Sequence, residues 1–215
     1  MSLSFYFAPM STASITEAVI AELGIQCSRV QLDIRAGDTR TPEFLAINPN
    51  GRVPVIVHDG TAIWESAAIT MYLGEVFGVG LDLYPALGPR RGEAMRWIVW
   101  SNVALAEAAG RLAASAPAGS DGAVEPGSRD WVPPELRSVT TAATARADLA
   151  GCLAILDRAL VEQPYLLGTY SLVDTHLHAM VGWITTMDVD LTPLPHLHEW
   201  LQRCAARPAL ATLTG

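Results

Sequence analysis

The spacing of apolar residues changes once along this chain, near residue 83, and that break restricts the fold more than any other feature. Ahead of it, short apolar runs of strand length alternate with stretches of helical period; beyond it, every long segment has helical spacing. "LSFYFA" (3–8) reads as a strand. "STASITEAVIAELG" (11–24) reads as a helix, with Ile15, Ala18, Val19, Glu22 and Leu23 at helical intervals and Gly24 as its terminator. "CSRVQLDI" (27–34) is a second strand, parallel to the first if the helix crosses over with the usual right hand. A polar stretch with a short helix over Pro42–Ile47 follows. "VPVIVHDG" (53–60) and "AIWE" (62–65) then pair as a hairpin across Asp59-Gly60, a favoured two-residue turn. "SAAITMYLGEVFG" (66–78) closes the first part as a helix with Ser66 at its N-cap. The order is βαβαββα.

A linker around Leu83–Pro89 leads into four helical segments. They begin with "RRGEAMRWIVWSNVALAEAAGRLAAS" and "ELRSVTTAATARADLAGCLAILDRALVEQ", and continue with "SLVDTHLHAMVGWITTM" and "PHLHEWLQRCAA". Between the first two, residues 117–134 are rich in Pro and Gly and read as a long loop. The expectation is an α/β domain over residues 1–80 followed by an all-α domain over residues 90–215.

Half of the 215 residues are apolar and 17% are charged, which suits a folded globule with a sizeable core. A formal net charge of −8 argues against nucleic acid or anionic membrane as partners, since phosphate binding needs a basic face. The chain has no continuous apolar run of membrane-spanning length and no basic, apolar leader at its start. Cys27, Cys152 and Cys204 are odd in number and lack C-x-x-C spacing, as expected of reduced thiols in a cytoplasmic protein. His176, His178, His196 and His198 form two H-x-H pairs, but residues two apart on a helix face different directions, so no metal site is expected.

Three short motifs carry chemistry. In "NPNGRVPVIV" a turn-rich run delivers Val53-Pro54 to the start of a strand, where proline, lacking an N–H, is tolerated at an edge, an end or a bulge. Free backbone groups there accept an extended peptide by strand addition. "WESAAI" sets Glu65 and Ser66 at a helix N-terminus, where N–H groups and the positive dipole end favour a carboxylate. "PMSTAS" gathers Ser11, Thr12 and Ser14 at another helix start.

Taken in this order, "EFLAINPNGRVPVI", "ESAAITMYL", "YLLGTYSLVDTHL" and "PHLHEWLQRCAARPAL" resemble the cytosolic glutathione transferase superfamily over essentially the whole chain. The resemblance implies a thioredoxin-like N-terminal domain, an all-helical C-terminal domain, glutathione as co-substrate and a homodimer. It places Arg52, Val53 and Pro54 in the glutathione site, with the Val53 backbone pairing the cysteinyl unit and the Val53-Pro54 bond cis. Glu65 with the Ser66 hydroxyl and N–H would hold the γ-glutamyl group. Ser171 to Asp174 match the family's [ST]-x-x-[DE] capping box, whose job is folding; Gly168 stands one residue nearer to it than usual.

Glutathione's thiol, like a free cysteine, has a pKa near ~8.5. One hydroxyl donor at the first helix start can favour its thiolate. The resemblance divides over which. The catalytic serine of theta-type members falls on Met10, or on Ser11 with a one-residue shift; the cysteine of beta-type members falls on Thr12, preceded by Pro9. Ser11 ranks first, Thr12 second and Ser14 third, with capping of the helix as the competing role of each. Tyr6, on the strand, fits packing better than the catalytic tyrosine of other classes. The Asn and His of beta-type members map, counting from Trp97, to Val99 and Ala106. Met10, Trp100 and Met180, with Trp97, Trp183 and Met187, are candidates to line an apolar site for a small electrophile. The expected activity is a transferase that adds the glutathione thiolate to a hydrophobic electrophile. A glutathione-dependent isomerase or dehalogenase and a non-catalytic glutathione-binding scaffold are the alternatives.

Overall fold

A computed structural model describes residues 2–115 and 139–211. The expected loop over residues 117–134 and the first residues of the second long helix lie outside them. The N-terminal part has the order read from the sequence: β1 (Leu3–Phe7), α1 (Ala13–Leu23), β2 (Ser28–Gln31), α2 (Pro42–Ile47), β3 (Val55–His58), β4 (Thr61–Trp64) and α3 (Ser66–Leu73). Four strands form one mixed sheet in the order β2-β1-β3-β4. β1 runs parallel to β2, and both β1 and β4 run antiparallel to β3. Phe5, at the centre of β1, and Ile56, opposite it on β3, are fully buried.

The helical part comprises α4 (Pro89–Trp100), α5 (Ala106–Ser115), α6 (Val139–Ala159), α7 (Leu172–Thr185), α8 (Pro195–Ala205) and α9 (Pro208–Ala211). Two expected helices are each interrupted by one wider turn. α3 runs into a π-helical turn over Gly74–Gly78, and another over Ser101–Leu105 joins α4 to α5. Gly74 lets the Tyr84 ring lie against the first of these, since a Cβ there would sit 2.6 Å from that ring. No described helix is long and apolar enough to cross a membrane.

α1 joins the two parts. It packs against α3 on its own side and against α7 and α9 on the other. Ile15, Val19 and Leu23 enter one continuous core that runs from Leu3 and Phe5 on the sheet to Trp200 on α8. Glu22 falls on this buried stripe because it is paired. Its carboxylate accepts bonds from Arg207 Nε (3.0 Å) and Nη2 (2.8 Å) and from the Tyr170 hydroxyl (2.8 Å). The Arg207 guanidinium lies over the Tyr170 ring at 3.9 Å, closing the cluster.

The expected capping box at the start of α7 is present. Asp174, fully buried, accepts from the Ser171 N–H (3.0 Å) and Oγ (3.1 Å), and also from the Leu166 N–H (3.0 Å) and Trp200 Nε1 (2.9 Å). One carboxylate thus ties the start of α7 to the preceding loop and to α8. Asp174→Ala strands three buried donors besides the Ser171 hydroxyl. At about 1–3 kcal/mol for each unpaired group the loss is ~3 kcal/mol or more. In a chain of this size that is a fall in Tm of roughly 6–12 °C, which calorimetry will read; a variant melting with the wild type would refute this role.

Candidate functional site

Strand register gathers the three sequence motifs at one end of the sheet. Val55 pairs with Tyr6 on one side and with Trp64 on the other. The turn that leaves β1 (8–12), the segment that enters β3 (52–54) and the start of α3 (65–66) therefore emerge side by side. Two residues at this end, Met10 (φ 56°) and Glu65 (φ 72°), are non-glycine residues in left-handed conformation. Such backbone costs of order 1–3 kcal/mol and concentrates at functional sites.

The segment entering β3 is held from below. Asn48, 2% exposed, donates from Nδ2 to the Arg52 carbonyl at 2.7 Å and accepts the Asn50 N–H at 3.1 Å. Gly51 (φ 61°) passes so close to the preceding loop that a Cβ would lie 2.8 Å from the Thr39 carbonyl oxygen. Arg52 is exposed, Val53 half-buried and Pro54 buried, and the Val53-Pro54 bond is cis. β3 itself is a central strand, flanked on both sides, so of the edge, end or bulge that proline allows, Pro54 takes the end, just ahead of the first strand residue. What is open is the backbone two residues ahead of it: among the described residues no backbone hydrogen bond engages Val53. An extended peptide can pair there without displacing a strand.

At α3 the N-cap is Glu65, not Ser66. Glu65 is exposed and its carboxylate makes no capping bond; Ser66 is the first helical residue and is 5% exposed. The reason is inward bonding. Ser66 Oγ lies 2.9 Å from Asn102 Nδ2, Asn102 Oδ1 lies 2.9 Å from His176 Nε2, and His176 Nδ1 lies 2.9 Å from Thr70 Oγ1. This chain links α3, the π-helical turn and α7. His176 is fully buried, and loss of hydration pulls its pKa down to about 3, so the ring is neutral. Sequence reading missed both residues. The count from Trp97 leads to Val99, which is exposed, and to Ala106, whereas the residue that reaches Ser66 is Asn102, in the π-helical turn after α4. The sequence offers His176 only as one of an H-x-H pair, and no local signal marks either residue, since His176 stands among Asp174, Thr175 and His178 and Asn102 follows Ser101.

The hydroxyls at α1 are not equivalent. Ser11 donates from Oγ to the Ala8 carbonyl at 2.7 Å and accepts the Ala13 N–H at 3.2 Å, so it stitches the turn. Thr12 is the N-cap residue, exposed; its hydroxyl makes no cap bond, and no hydrogen bond engages its N–H among the described residues. Ser14 is exposed in the first turn, and Tyr6 tilts against the Phe44 ring at 6.1 Å. The candidates for an apolar wall separate. Met10 is 99% exposed, Trp100 is half-buried with its ring set edge-to-face against Trp97 at 5.5 Å, and Met180 is 3% exposed inside the helical core. All three cysteines are unpaired, and burial raises the pKa of each thiol.

Comparison with known proteins bears on the fold and the family. Residues 1–75 match the family model "Glutathione S-transferase, N-terminal domain" and residues 121–208 match "Glutathione S-transferase, C-terminal domain". Protein URE2 of Candida albicans is 48% identical over 58 residues, 26% of this chain, and the match spans only 17% of that relative's length. Among solved structures, the ternary complex of BphK, a bacterial GST, is 26% identical with a TM-score of 0.77, covering 97% of this chain and 96% of its own. A glutathione transferase homologue from Sulfitobacter, solved with bound glutathione, is 22% identical with a TM-score of 0.79, covering 99% and 97%. With both family models matched in order and the whole fold shared with BphK, the chain belongs to the glutathione S-transferase superfamily.

Proposed function

We propose that this protein binds glutathione at the sheet end described above and directs its thiolate onto a hydrophobic electrophile. The supporting observation is the open backbone at Val53 beside the N-terminus of α3, a pairing of groups that fits both halves of a γ-glutamyl-cysteinyl unit. Val53 takes the cysteinyl backbone. The first N–H groups of α3, which have no acceptor within the helix, and the Ser66 hydroxyl take the γ-glutamyl carboxylate, while Glu65 takes its amine. Arg52 and Pro54 flank the tripeptide. In this reading residues 1–80 hold glutathione and residues 90–215 supply the second-substrate wall, with Met10 and Trp100 at its mouth. The glutathione bound by the Sulfitobacter homologue lends support.

Thr12 is the better thiolate donor of the two hydroxyls, since Ser11 is committed at both its proton and a lone pair. A charge-assisted bond of about 1.5–3 kcal/mol lowers the thiol pKa by roughly one to two units, at 1.36 kcal/mol per unit. The positive end of α1 acts in the same sense. Ultraviolet titration of the bound thiolate tests this. Thr12→Ala should raise the thiol pKa by about one unit or more and lower kcat/KM at neutral pH roughly tenfold, and Thr12→Ser should restore both. Ser11→Ala should act mainly on stability. If Ser11→Ala alone moves the titration, the assignment belongs to Ser11; if neither does, thiolate activation by this turn is refuted, and a glutathione-binding scaffold becomes the better reading. The protein is further proposed to be a homodimer. Sedimentation at micromolar concentration should give twice the chain mass, and a single monomeric species would contradict it.

A further inference from the structure

Arg90, Glu93 and Arg96 follow one another at three-residue intervals along α4, in the order plus, minus, plus. Side chains so spaced are neighbours on a helix surface, and opposite charges there ordinarily pair. Here they do not: among the described residues, neither arginine forms an ion pair and neither does Glu93. Each arginine is drawn elsewhere. Arg90 Nη2 donates to the Leu167 carbonyl and lies 3.5 Å from Thr169 Oγ1. The Arg96 guanidinium lies over the Trp97 ring, 5.4 Å from its centroid. Glu93 is left between two cations that it does not touch.

These side chains and Trp97 line a cleft of about 300 Å³, closed on its far side by Gln163 and Leu167, just beyond the end of α6. That volume lies at the lower end of the range for small-molecule sites. Gln163 spends both amide hydrogens on backbone, donating to the Ala159 carbonyl (3.0 Å) and the Leu166 carbonyl (3.3 Å). Its Oε1 is thereby left as an acceptor with no donor among the described residues. No residue proposed to hold glutathione lines this cleft.

Charge decides what such a cleft suits. A simple anion would meet the Glu93 carboxylate, and a simple cation would meet two guanidinium groups. A ligand that carries a carboxylate and an ammonium on one carbon satisfies both signs at once. Guanidinium donates in a planar fork that matches a carboxylate, and the oxygens of Glu93 and Gln163 accept from an ammonium. We propose that the cleft is a second ligand site, which takes the zwitterionic head of an α-amino acid: its carboxylate on Arg96 with Arg90 alongside, its ammonium on Glu93 and Gln163 Oε1. Nothing in this site depends on glutathione binding elsewhere in the protein.

Calorimetric titration of the whole protein with L-leucine and two analogues that keep its side chain provides the test. 4-Methylpentanoate lacks the amine, and 3-methylbutylamine lacks the carboxylate. Leucine should bind the wild type, and each analogue should bind about fivefold more weakly or worse, because a like charge then faces it unopposed. Arg96→Gln and Glu93→Gln, both at exposed positions, should each weaken leucine by about three- to tenfold. The analogues should respond in opposite directions: Glu93→Gln strengthens 4-methylpentanoate, and Arg96→Gln strengthens 3-methylbutylamine. A purely structural role for either side chain would not produce that crossing. Ser66→Ala, at the other site, should leave leucine within about twofold of its wild-type affinity. No binding of leucine to the wild type, equal affinities for the three compounds, or no crossing between the two variants would each overturn the proposal. Loss of leucine binding in Ser66→Ala with none in Arg96→Gln would put the amino acid at the start of α3 and overturn it as well.

Discussion

The pairing of β3 between β1 and β4 is the constraint from which the site follows. Because β3 runs antiparallel to both neighbours, the exits of β1 and β4 and the entry of β3 lie at the same end of the sheet. Val55 and Ile56 are both fully buried on opposite faces of β3, so a one-residue slip in either ladder would exchange their surroundings and carry residues 52–54 away from the α3 start. The hydrophobic pattern that holds the register therefore also holds the relation between an open peptide edge and a helix terminus. Set side by side, they offer backbone pairing and charge complementarity within one extended ligand.

The second requirement is a rigid backing for that edge. Asn48 beneath residues 50–52 and Asn102 behind Ser66 do similar work by different routes, each a side-chain amide spending both its donor and its acceptor on fixing a neighbour. Met10 and Glu65 stand at the rim in left-handed backbone, held there by the bonded turns around them. Preorganisation of this kind lowers the ordering cost that a small flexible ligand would otherwise impose on the protein.

Local patterns carried the element order, since apolar period, Gly24 as a terminator and the Asp59-Gly60 turn all act over a few residues. The capping box at Ser171–Asp174 was legible for the same reason, and so was the cis bond at Val53-Pro54 once the flanking motif was placed in a family. Three things were not. Whether Ser66 or Glu65 caps α3 is decided by Asn102, 36 residues further on, which draws the Ser66 hydroxyl inward. The partners Asn102 and His176 are 74 residues apart and leave no periodic trace. Ser11 and Thr12 are indistinguishable as letters, and only the reach of one hydroxyl to the Ala8 carbonyl separates them. Each failure has one origin: a side chain's job was set by a tertiary partner, not by its neighbours in sequence.

The clasp of Glu22 by Arg207 bears on how the protein is made. A carboxylate on the buried face of α1, its side chain 2% exposed, is strongly disfavoured in the interior until a cation meets it, and that cation lies 185 residues downstream. During synthesis, the nascent sheet and first helix can collapse early, but this stripe of α1 has to stay hydrated until the far end of the helical part has left the ribosome. Closure of this stripe is thereby deferred until the segment that carries Arg207 is available to dock against α1.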